Sequence, residues 1–212
     1  MREEDNETRR RVRDGDRAAF ALLYERHARA VYNHGLRLTG DWSTAEEVMS
    51  ETFLAAWRAR TRVEEDGGTL LPWLLGIATH KAENARRGFR RRQGFLARQQ
   101  QPRPQEDFAG ETAGRIDDAR RLRAVHASLG RLRRQEREVL ALCVWGGLDY
   151  RQTADALGIA VGTVRSRLSR ARRKLAAMAE EGMERGGERS GARGETTGEA
   201  ASAALTAGEK LA

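Results

Sequence analysis

Hydrophobic side chains recur every three or four residues through the first third of the chain, the spacing of a helix with one buried face. A first helix is predicted to begin after Asp16, whose side chain suits an N-cap, and to end around Gly35 and Gly40. A second is predicted after a cap at Asp41 or Ser43. The predicted buried stripes are Phe20, Leu23, Tyr24, His27 and Val31 in the first helix, and Ala45, Val48, Met49, Thr52, Phe53, Ala56 and Trp57 in the second.

A third helix is predicted after the polar, glycine-containing stretch RTRVEEDGGT, because Pro72 fits the first turn of a helix. Its apolar positions run from Trp73 to Ala85, and the basic stretch RRGFRRR is predicted to end it. Residues 93–116 contain two prolines, several glutamines and no apolar stripe, so they are predicted to be a flexible linker. The linker sets an N-terminal helical domain, residues 1–92, apart from a second helical domain.

The second domain, residues 117–178, ends in a pattern typical of a helix-turn-helix. Amphipathic helices are predicted first around residues 122–132 and 136–145. Tyr150–Leu157 and Val161–Met178 are then predicted as the helix pair, with Gly158 at positive φ in the turn. The glycine-rich tail, residues 179–212, has almost no large apolar residue and is predicted to be disordered. The predicted fold class is all-α, with two small helical domains joined by a flexible linker.

The second helix of the predicted helix-turn-helix carries its charge on one face. The inward positions are Val164, Leu168, Ala171 and Leu175, and the outward positions are Arg165, Ser166, Ser169, Arg170 and Arg173. Crowded like charges repel each other unless phosphates neutralise them, so the pattern predicts a helix that enters the DNA major groove. The plainer interpretation is a solvated basic helix face. The turn spacing, the inward stripe and the basic face together favour DNA binding.

The composition agrees with a helical protein that binds a polyanion. Of its 212 residues 33% are charged, and the formal net charge of +8 favours nucleic acid or an anionic membrane as partner. Cys143 is the only cysteine, which excludes an internal disulfide and suits a reducing compartment. Neither an apolar signal segment nor a run long enough to span a bilayer is evident. The sequence therefore predicts a cytoplasmic protein without membrane insertion.

No pattern in the sequence predicts catalysis, a cofactor or a metal site. His27, His34, His80 and His126 are scattered and lack the spacing of a metal-binding motif. Cys143 lies on an apolar helix stripe, which favours a buried structural thiol over a nucleophile. A glycine-rich phosphate-binding loop is also missing from the sequence. An enzyme is therefore the least supported class of function.

Three segments, in this order, resemble a bacterial RNA polymerase sigma factor of the extracytoplasmic-function (ECF) class of the sigma-70 family. They are ALLYERHARAVYNHGLRLTGDWSTAEEVMSETFLAAWRAR, PWLLGIATHKAENARR and LRRQEREVLALCVWGGLDYRQTADALGIAVGTVRSRLSRARRKL. AEEVMSETFLAAW and GTVRSRLSRAR are the most specific parts, whereas response-regulator domains share the general form of the stretch from EREVL to GTV. The resemblance implies two helical domains that bind core RNA polymerase and direct promoter-specific transcription initiation.

The resemblance also implies roles for residues of the N-terminal domain. In this class the second helix docks on the clamp of the largest polymerase subunit, and the flap region is a further contact. The matching residues for the clamp are Glu46, Glu47, Ser50, Glu51 and Arg58. The loop before the third helix, with that helix, captures a flipped base of the downstream promoter element, and the matching residues are Arg60, Thr61, Arg62, Gly67, Gly68, Trp73, His80, Asn84, Arg86 and Arg87. Trp73 could equally belong to the core, and His80 stands where asparagine is common in the class.

In the C-terminal domain the class reads the upstream promoter element with its recognition helix. The residues implied to meet base edges are Arg165, Ser166, Ser169 and Arg170, and those implied to meet phosphates are Tyr150, Arg151, Thr163, Arg167 and Arg173. An anti-sigma factor is a common partner of the class, although no stretch here identifies one. The alternative function is a stand-alone helix-turn-helix transcriptional regulator. That alternative leaves the acidic face of the second helix unexplained.

Overall fold

The computed structural model describes residues 2–65, 67–99 and 126–187, and the regular elements in these ranges are helices, which confirms the all-α prediction. They are α1 (Arg2–Arg13), α2 (Arg17–Thr39), α3 (Trp42–Ala59), α4 (Leu71–Gln99), α5 (Arg134–Leu140), α6 (Tyr150–Leu157) and α7 (Val161–Gly187). A 3₁₀ turn covers Arg60–Arg62, a π-helical turn covers Ala141–Trp145, and residues 126–130 are also helical. Within these ranges no helix is both long and apolar enough to cross a membrane.

Helices α2, α3 and α4 pack together into the N-terminal domain. The Asp16 carboxylate caps α2 by accepting the N–H groups of Ala18 and Ala19 at 2.8 and 3.1 Å, as predicted. The Asp41 carboxylate caps α3 by accepting the Thr44 N–H at 2.7 Å. Helix α2 runs through Gly35 and stops at Gly40, which adopts a φ of 73°. Most residues of the predicted stripes form the core between these helices, and its buried members include Leu23, Val31, Val48, Phe53, Ala56, Leu74 and Ala78. Tyr24, which was predicted in the stripe of the first helix, is 42% exposed.

Helices α5, α6 and α7 surround a second core in the C-terminal domain. The predicted inward stripe of α7, Val164, Leu168, Ala171 and Leu175, is at most 2% exposed. It packs with Leu129, Leu132, Val139, Leu140, Cys143 and Ala154. Burial raises the pKa of the Cys143 thiol, whose Sγ lies 3.3 Å from the Thr153 hydroxyl. The prediction that this thiol is buried is confirmed.

The two domains pack directly against each other. Gly76 of α4 lies so close to α6 that an added Cβ would be 2.6 Å from the Ala156 carbonyl oxygen. Leu142 and Leu148 of the C-terminal domain are buried in the same cluster as the core of the N-terminal domain. Beside this apolar contact, the Arg137 guanidinium of α5 forms two 2.7 Å hydrogen bonds with the Glu83 carboxylate of α4. Close packing and a buried ion pair therefore fix the relative placement of the two domains.

Helical structure extends further than the sequence predicted at three places. Helix α1 was not predicted, because Val12 is the single apolar residue in its REEDNETRRRVR sequence. Helix α4 continues through residues 93–99 of the predicted linker, since QGFLARQ consists mostly of helix-forming residues and the next proline is Pro102. Helix α7 continues past Met178 to Gly187. The remaining parts of the predicted linker and tail, residues 100–116 and 188–212, lie outside the described residues.

His34 is a buried, uncharged side chain in the middle of the N-terminal domain. Its Nε2 lies 2.8 Å from the Thr79 hydroxyl, which donates its proton to the Leu75 carbonyl at 2.8 Å. With its proton donated to the Leu75 carbonyl, the Thr79 hydroxyl oxygen is free to accept from His34, which corresponds to the neutral tautomer with the proton on Nε2. Burial, together with the nearby Arg37 charge, lowers the pKa of His34 from 6.5 to about 3.

The protein is therefore expected to lose stability in acid through His34. Because the pKa is lower in the folded state, the unfolded chain takes up the proton first, and stability falls as the pH falls from 6.5 towards 3. At pH 5 the expected loss is about 2 kcal/mol relative to pH 7.5. Urea unfolding at both pH values measures it. The His34→Gln variant should lose about this much of the pH dependence, whereas His80→Gln, at an exposed position, should keep it; equal pH dependence in all three proteins would contradict the assignment.

Candidate nucleic-acid interface

Helices α6 and α7 form the predicted helix-turn-helix with the predicted turn. The Asp149 carboxylate accepts the Gln152 N–H at 2.7 Å and the Gln152 side chain accepts the Asp149 N–H at 3.0 Å, so a reciprocal capping box starts α6. Gly158 ends α6 with a φ of 64°, in the left-handed region that favours glycine. Helix α7 begins three residues later at Val161. The sequence therefore fixes both the turn and the start of the second helix.

The predicted DNA-reading side chains lie together on the outward face of α7. Arg165, Ser166, Ser169, Arg170 and Arg173 are exposed, and Thr163 and Arg167 are half-buried beside them. Tyr150 and Arg151, at the start of α6, are exposed as well. A groove that enters this face can therefore meet guanidinium and hydroxyl groups while the opposite face of α7 stays in the core.

Two contacts orient the arginines of this face. Arg170 donates from Nε to the Ser166 carbonyl at 3.1 Å and from Nη2 to the Ser166 hydroxyl at 3.3 Å. The Ser166 hydroxyl in turn donates to the Thr163 carbonyl at 3.1 Å. The Arg165 guanidinium lies 5.8 Å from the centre of the Tyr150 ring, which links the start of α7 to the start of α6. Both guanidinium groups are thus held at the surface by neighbours that water or DNA can replace.

Lys174 faces α5 rather than the outward surface of α7. Its ammonium lies 2.7 and 2.9 Å from the two carboxylate oxygens of Glu136. Burial alone raises the pKa of Glu136, but the Lys174 ammonium and the Arg133 N–H outweigh it and hold the pKa below its usual value. The positive charge of Lys174 therefore stabilises the C-terminal domain and is separate from the arginine face.

A second group of predicted DNA-binding residues shares one exposed face of α4. His80, Asn84 and Arg87 are spaced at i, i+4 and i+7, and all three are exposed. Arg62, in the turn that precedes α4, is also exposed. Asn84 and His80 can offer hydrogen bonds to the edge of a base, and Arg87 and Arg62 can neutralise phosphates.

Three other residues predicted at this site contact other parts of the protein. Arg86 is 8% exposed and donates from Nη1 to the Leu38 carbonyl at 3.1 Å, so it joins α4 to the end of α2 and does not face solvent; this placement does not support its predicted contact with DNA. Arg60 lies over the Trp57 ring at 4.6 Å and donates to the Trp57 carbonyl at 3.0 Å. Trp73 is half-buried against the core, which favours the alternative that the sequence left open.

The polar face of α3 is exposed as predicted. Its members Glu46, Glu47, Ser50, Glu51 and Arg58 all face solvent. Glu51 also forms a 3.0 Å ion pair with Lys81 of α4. Leu54, which was not predicted as part of this face, is 56% exposed in its middle. The available signal was the spacing, because Leu54 and Arg58 follow Glu47 by 7 and 11 residues and therefore share its side of the helix.

Comparison with known proteins identifies the family. Models of Sigma-70 region 2 and Sigma-70 region 4 match residues 23–93 and 122–175. The ECF RNA polymerase sigma factor SigL of Mycobacterium tuberculosis is 33% identical over 164 residues, which cover 77% of this chain and 90% of SigL. The structure of CnrH in complex with the cytosolic domain of CnrY is similar with a TM-score of 0.63 and 26% identity, covering 84% of this chain and 97% of CnrH.

A further structure shares the fold alone. The sigma factor RpoE in complex with the anti-sigma factor NepR from Bartonella quintana is 23% identical, with a TM-score of 0.51, over 73% of this chain and 92% of RpoE.

The residues matched by the Sigma-70 region 2 and region 4 models contain the face of α3, the face of α4 and the arginine face of α7. From the match to both regions and the similarity to SigL over most of both sequences, the chain belongs to the ECF class of the sigma-70 family of RNA polymerase sigma factors.

Proposed function

We propose that this sigma factor holds core RNA polymerase through α3 and reads a promoter with two separate surfaces, one in each domain. As a member of its family the chain directs promoter-specific transcription initiation. The observation that carries the residue-level proposal is the separation of charge. An exposed face with three carboxylates lies on α3, and an exposed face with three arginines lies on α7. The first suits a protein partner and the second suits DNA phosphates and base edges.

The α7 surface reads the upstream promoter element. Arg165 and Arg170 are five residues, or about 1.4 turns, apart and both are exposed on α7, so both guanidinium groups can reach base edges in one major groove. A bidentate arginine–guanine contact gives about 1–3 kcal/mol of discrimination between bases. Ser166 and Ser169 supply hydroxyl groups between them. The residues proposed to contact phosphates are Tyr150, Arg151, Thr163, Arg167 and Arg173.

The α4 surface captures an unstacked base of the downstream element. His80 and Asn84 present hydrogen-bonding groups to solvent one helical turn apart, and Arg87 follows on the same side. A base removed from a duplex needs such polar contacts on its exposed edge and basic groups along its strand. Arg62 supplies a further positive charge ahead of the helix. Arg60, Trp73 and Arg86 support this surface from within the fold.

The face of α3 is the proposed docking surface for the polymerase clamp. Carboxylates around a central exposed leucine combine a charged rim with an apolar centre, as protein interfaces usually do. The flap region is a second proposed contact for the C-terminal domain. We assign the chain no catalysis of its own and place it in the cytoplasm with the polymerase. An anti-sigma protein is a further proposed partner, of the kind with which RpoE of similar fold was solved.

Run-off transcription with reconstituted holoenzyme on a library of genomic promoters tests the proposed function. The wild-type chain should bind core polymerase and produce transcripts from a defined subset of templates. Glu47→Lys combined with Leu54→Ser should weaken polymerase binding about a hundredfold, because it reverses a rim charge and removes the apolar centre of the interface. Fluorescence anisotropy of labelled sigma factor titrated with core polymerase measures this change.

A matched control lies on α2. Leu22 is 56% exposed, as Leu54 is, and Glu25 is an exposed carboxylate one turn away. Leu22→Ser combined with Glu25→Lys makes the same chemical changes away from α3 and should leave polymerase binding unchanged. If the α3 variant binds polymerase as tightly as this control, the docking surface is wrong. If the wild-type chain binds duplex DNA tightly but supports no initiation from any template, the stand-alone regulator is the better description.

A further inference from the structure

Three polar residues of α1, Asn6, Arg9 and Arg13, form a ridge that contacts the segment of chain leading into α4. We call residues 63–65 and 67–69 the entry segment. Arg9 donates from Nε to the Gly68 carbonyl at 2.6 Å and from Nη1 to the Glu64 carbonyl at 2.9 Å. Its Nη2 lies 3.3 and 3.5 Å from the carbonyls of Gly67 and Thr69. One guanidinium therefore reaches four backbone carbonyls of the entry segment, across about 60 positions of sequence separation.

Two neighbours of Arg9 on the same helix side strengthen this contact. Arg13 donates from Nη1 to the Val63 carbonyl at 3.2 Å. Asn6 accepts the Gly68 N–H through its Oδ1 at 3.4 Å. Residues 6, 9 and 13 follow the i, i+3, i+7 spacing of one helix face, and the intervening Val12 is fully buried and anchors α1 to the bundle. The ridge is therefore a specific interface between α1 and the entry segment.

The glycines of the entry segment are required by this interface. Gly67 has a φ of 147° and Gly68 a φ of 70°, a backbone that side-chain-bearing residues rarely adopt. A Cβ added to Gly67 would lie 3.0 Å from Nη2 of Arg9. The glycine pair lets the backbone turn its carbonyls towards α1 and lets the guanidinium lie against the chain.

The entry segment is continuous with the start of α4. The Thr69 hydroxyl accepts the Leu71 N–H at 3.3 Å, so the residue whose carbonyl faces Arg9 also supports the first turn of the helix. Helix α4 then carries His80, Asn84 and Arg87 outward. Because the carbonyls of the entry segment are held towards α1, the orientation of its backbone is set. That orientation determines the N–H groups and side chains that face away from α1.

We infer that Arg9 is a positioning residue for promoter recognition: by bonding the carbonyls of the entry segment, it holds that segment in the shape that accepts the unstacked base of the downstream element. The inference rests on the proposed function of α4 and its preceding loop. It adds α1 to the residues involved in promoter recognition. In this role α1 contacts the entry segment, and other residues contact the DNA. Pre-forming the loop removes the ordering cost that base capture would otherwise carry.

The test is transcription by holoenzyme carrying Arg9→Ala, on the cognate promoter and on promoters with single base changes in the downstream element. Loss of charge-assisted hydrogen bonds to the loop should lower open-complex formation about tenfold. The ratio of transcript yield from the cognate promoter to that from the altered promoters should also fall. This fall should be seen both on duplex templates and on templates already melted at that element. Affinity for core polymerase and for the upstream element as duplex should not change. Arg9→Lys, which keeps the charge without the planar fork, should recover part of the discrimination.

Arg10→Ala is the matched control, since Arg10 is the next residue of α1, exposed, and paired with Glu7 at 4.0 Å. It should behave as wild type. Gly67→Ala should reproduce the effect from the loop side without altering α1. Should Arg9→Ala lower activity only in proportion to lost thermal stability, with base discrimination intact, the residue is merely structural and the inference is overturned. A wild-type protein that fails to initiate from any promoter would instead overturn the proposed function.

Discussion

Replacing Arg137 by leucine is expected to destabilise the protein by about 3–5 kcal/mol, because it leaves a buried carboxylate without its partner. Arg137 is 4% exposed and Glu83 is 5% exposed. Besides the two bonds to Glu83, the guanidinium donates from Nη1 to the carbonyls of Leu129 and Leu132 at 3.1 and 3.0 Å. The substitution thus removes four hydrogen bonds and leaves the desolvated Glu83 carboxylate against an apolar leucine side chain.

Arg10→Leu provides the control, because Arg10 forms an ion pair with Glu7 on the same helix at 4.0 Å and the two side chains are 53% and 60% exposed. An exposed pair of this kind contributes about 0–1 kcal/mol. Urea unfolding of both variants compares the loss of a buried ion pair with the loss of an exposed one. The double variant Glu83→Leu with Arg137→Leu should recover much of the loss, since neither charge remains buried. An Arg137→Leu variant no less stable than Arg10→Leu would mean that the pair between Arg137 and Glu83 is open to water in solution.

The same variant tests how firmly the domains are joined. Glu83 belongs to α4 and Arg137 to α5, and beside them Gly76 meets Ala156. If the interface depends on the ion pair, Arg137→Leu should unfold in two steps, one for each domain core, while the wild type unfolds in one. The interface also sets the distance between the α4 and α7 surfaces.

Periodic apolar spacing predicted the parts of this fold that depend on local sequence. Helices α2 and α3, the cap at Asp16 and the helix-turn-helix around Gly158 were predicted correctly, and Asp41 is one of the two residues predicted as the cap of α3. In each case the apolar stripe, the cap and the turn glycine lie within about one helix length of each other. The outward arginines of α7 could be predicted for the same reason, because the inward stripe of that helix is unbroken.

The features that the sequence did not predict involve charged residues whose partners are distant in sequence. Arg9, Arg86 and Arg137 each bond to a residue at least 48 positions away. In a chain with 33% charged residues, nothing local distinguishes a buried arginine from a solvated one. Helix α1 was missed for a related reason, since polar contacts through Asn6, Arg9 and Arg13 hold it and one buried valine is too little for a stripe. Leu54 was missed because an apolar residue on a polar face breaks the pattern that defines the helix.

Replacing Arg165 and Arg170 together by alanine is expected to abolish initiation at the cognate promoter and to leave polymerase binding nearly unchanged. Two lost base contacts at about 1–3 kcal/mol each weaken upstream-element binding by at least about thirtyfold. The same outward face keeps Arg173, so non-specific attraction to DNA should fall less than sequence discrimination. Holoenzyme run-off assays and polymerase titration measure the two properties separately. Loss of polymerase binding in this variant would overturn the division of roles between α3 and α7.

Two further variants separate base reading from charge. Arg17→Ala combined with Arg29→Ala removes the same charge from exposed positions on α2 and should leave initiation unchanged. Arg165→Lys combined with Arg170→Lys keeps the charge on α7 but loses the planar fork that matches guanine. If the arginines read bases, the lysine variant should lose discrimination while the salt dependence of DNA binding stays the same. If they contact only phosphates, the lysine variant should initiate normally and the alanine variant should show a salt slope shallower by about one per lost contact.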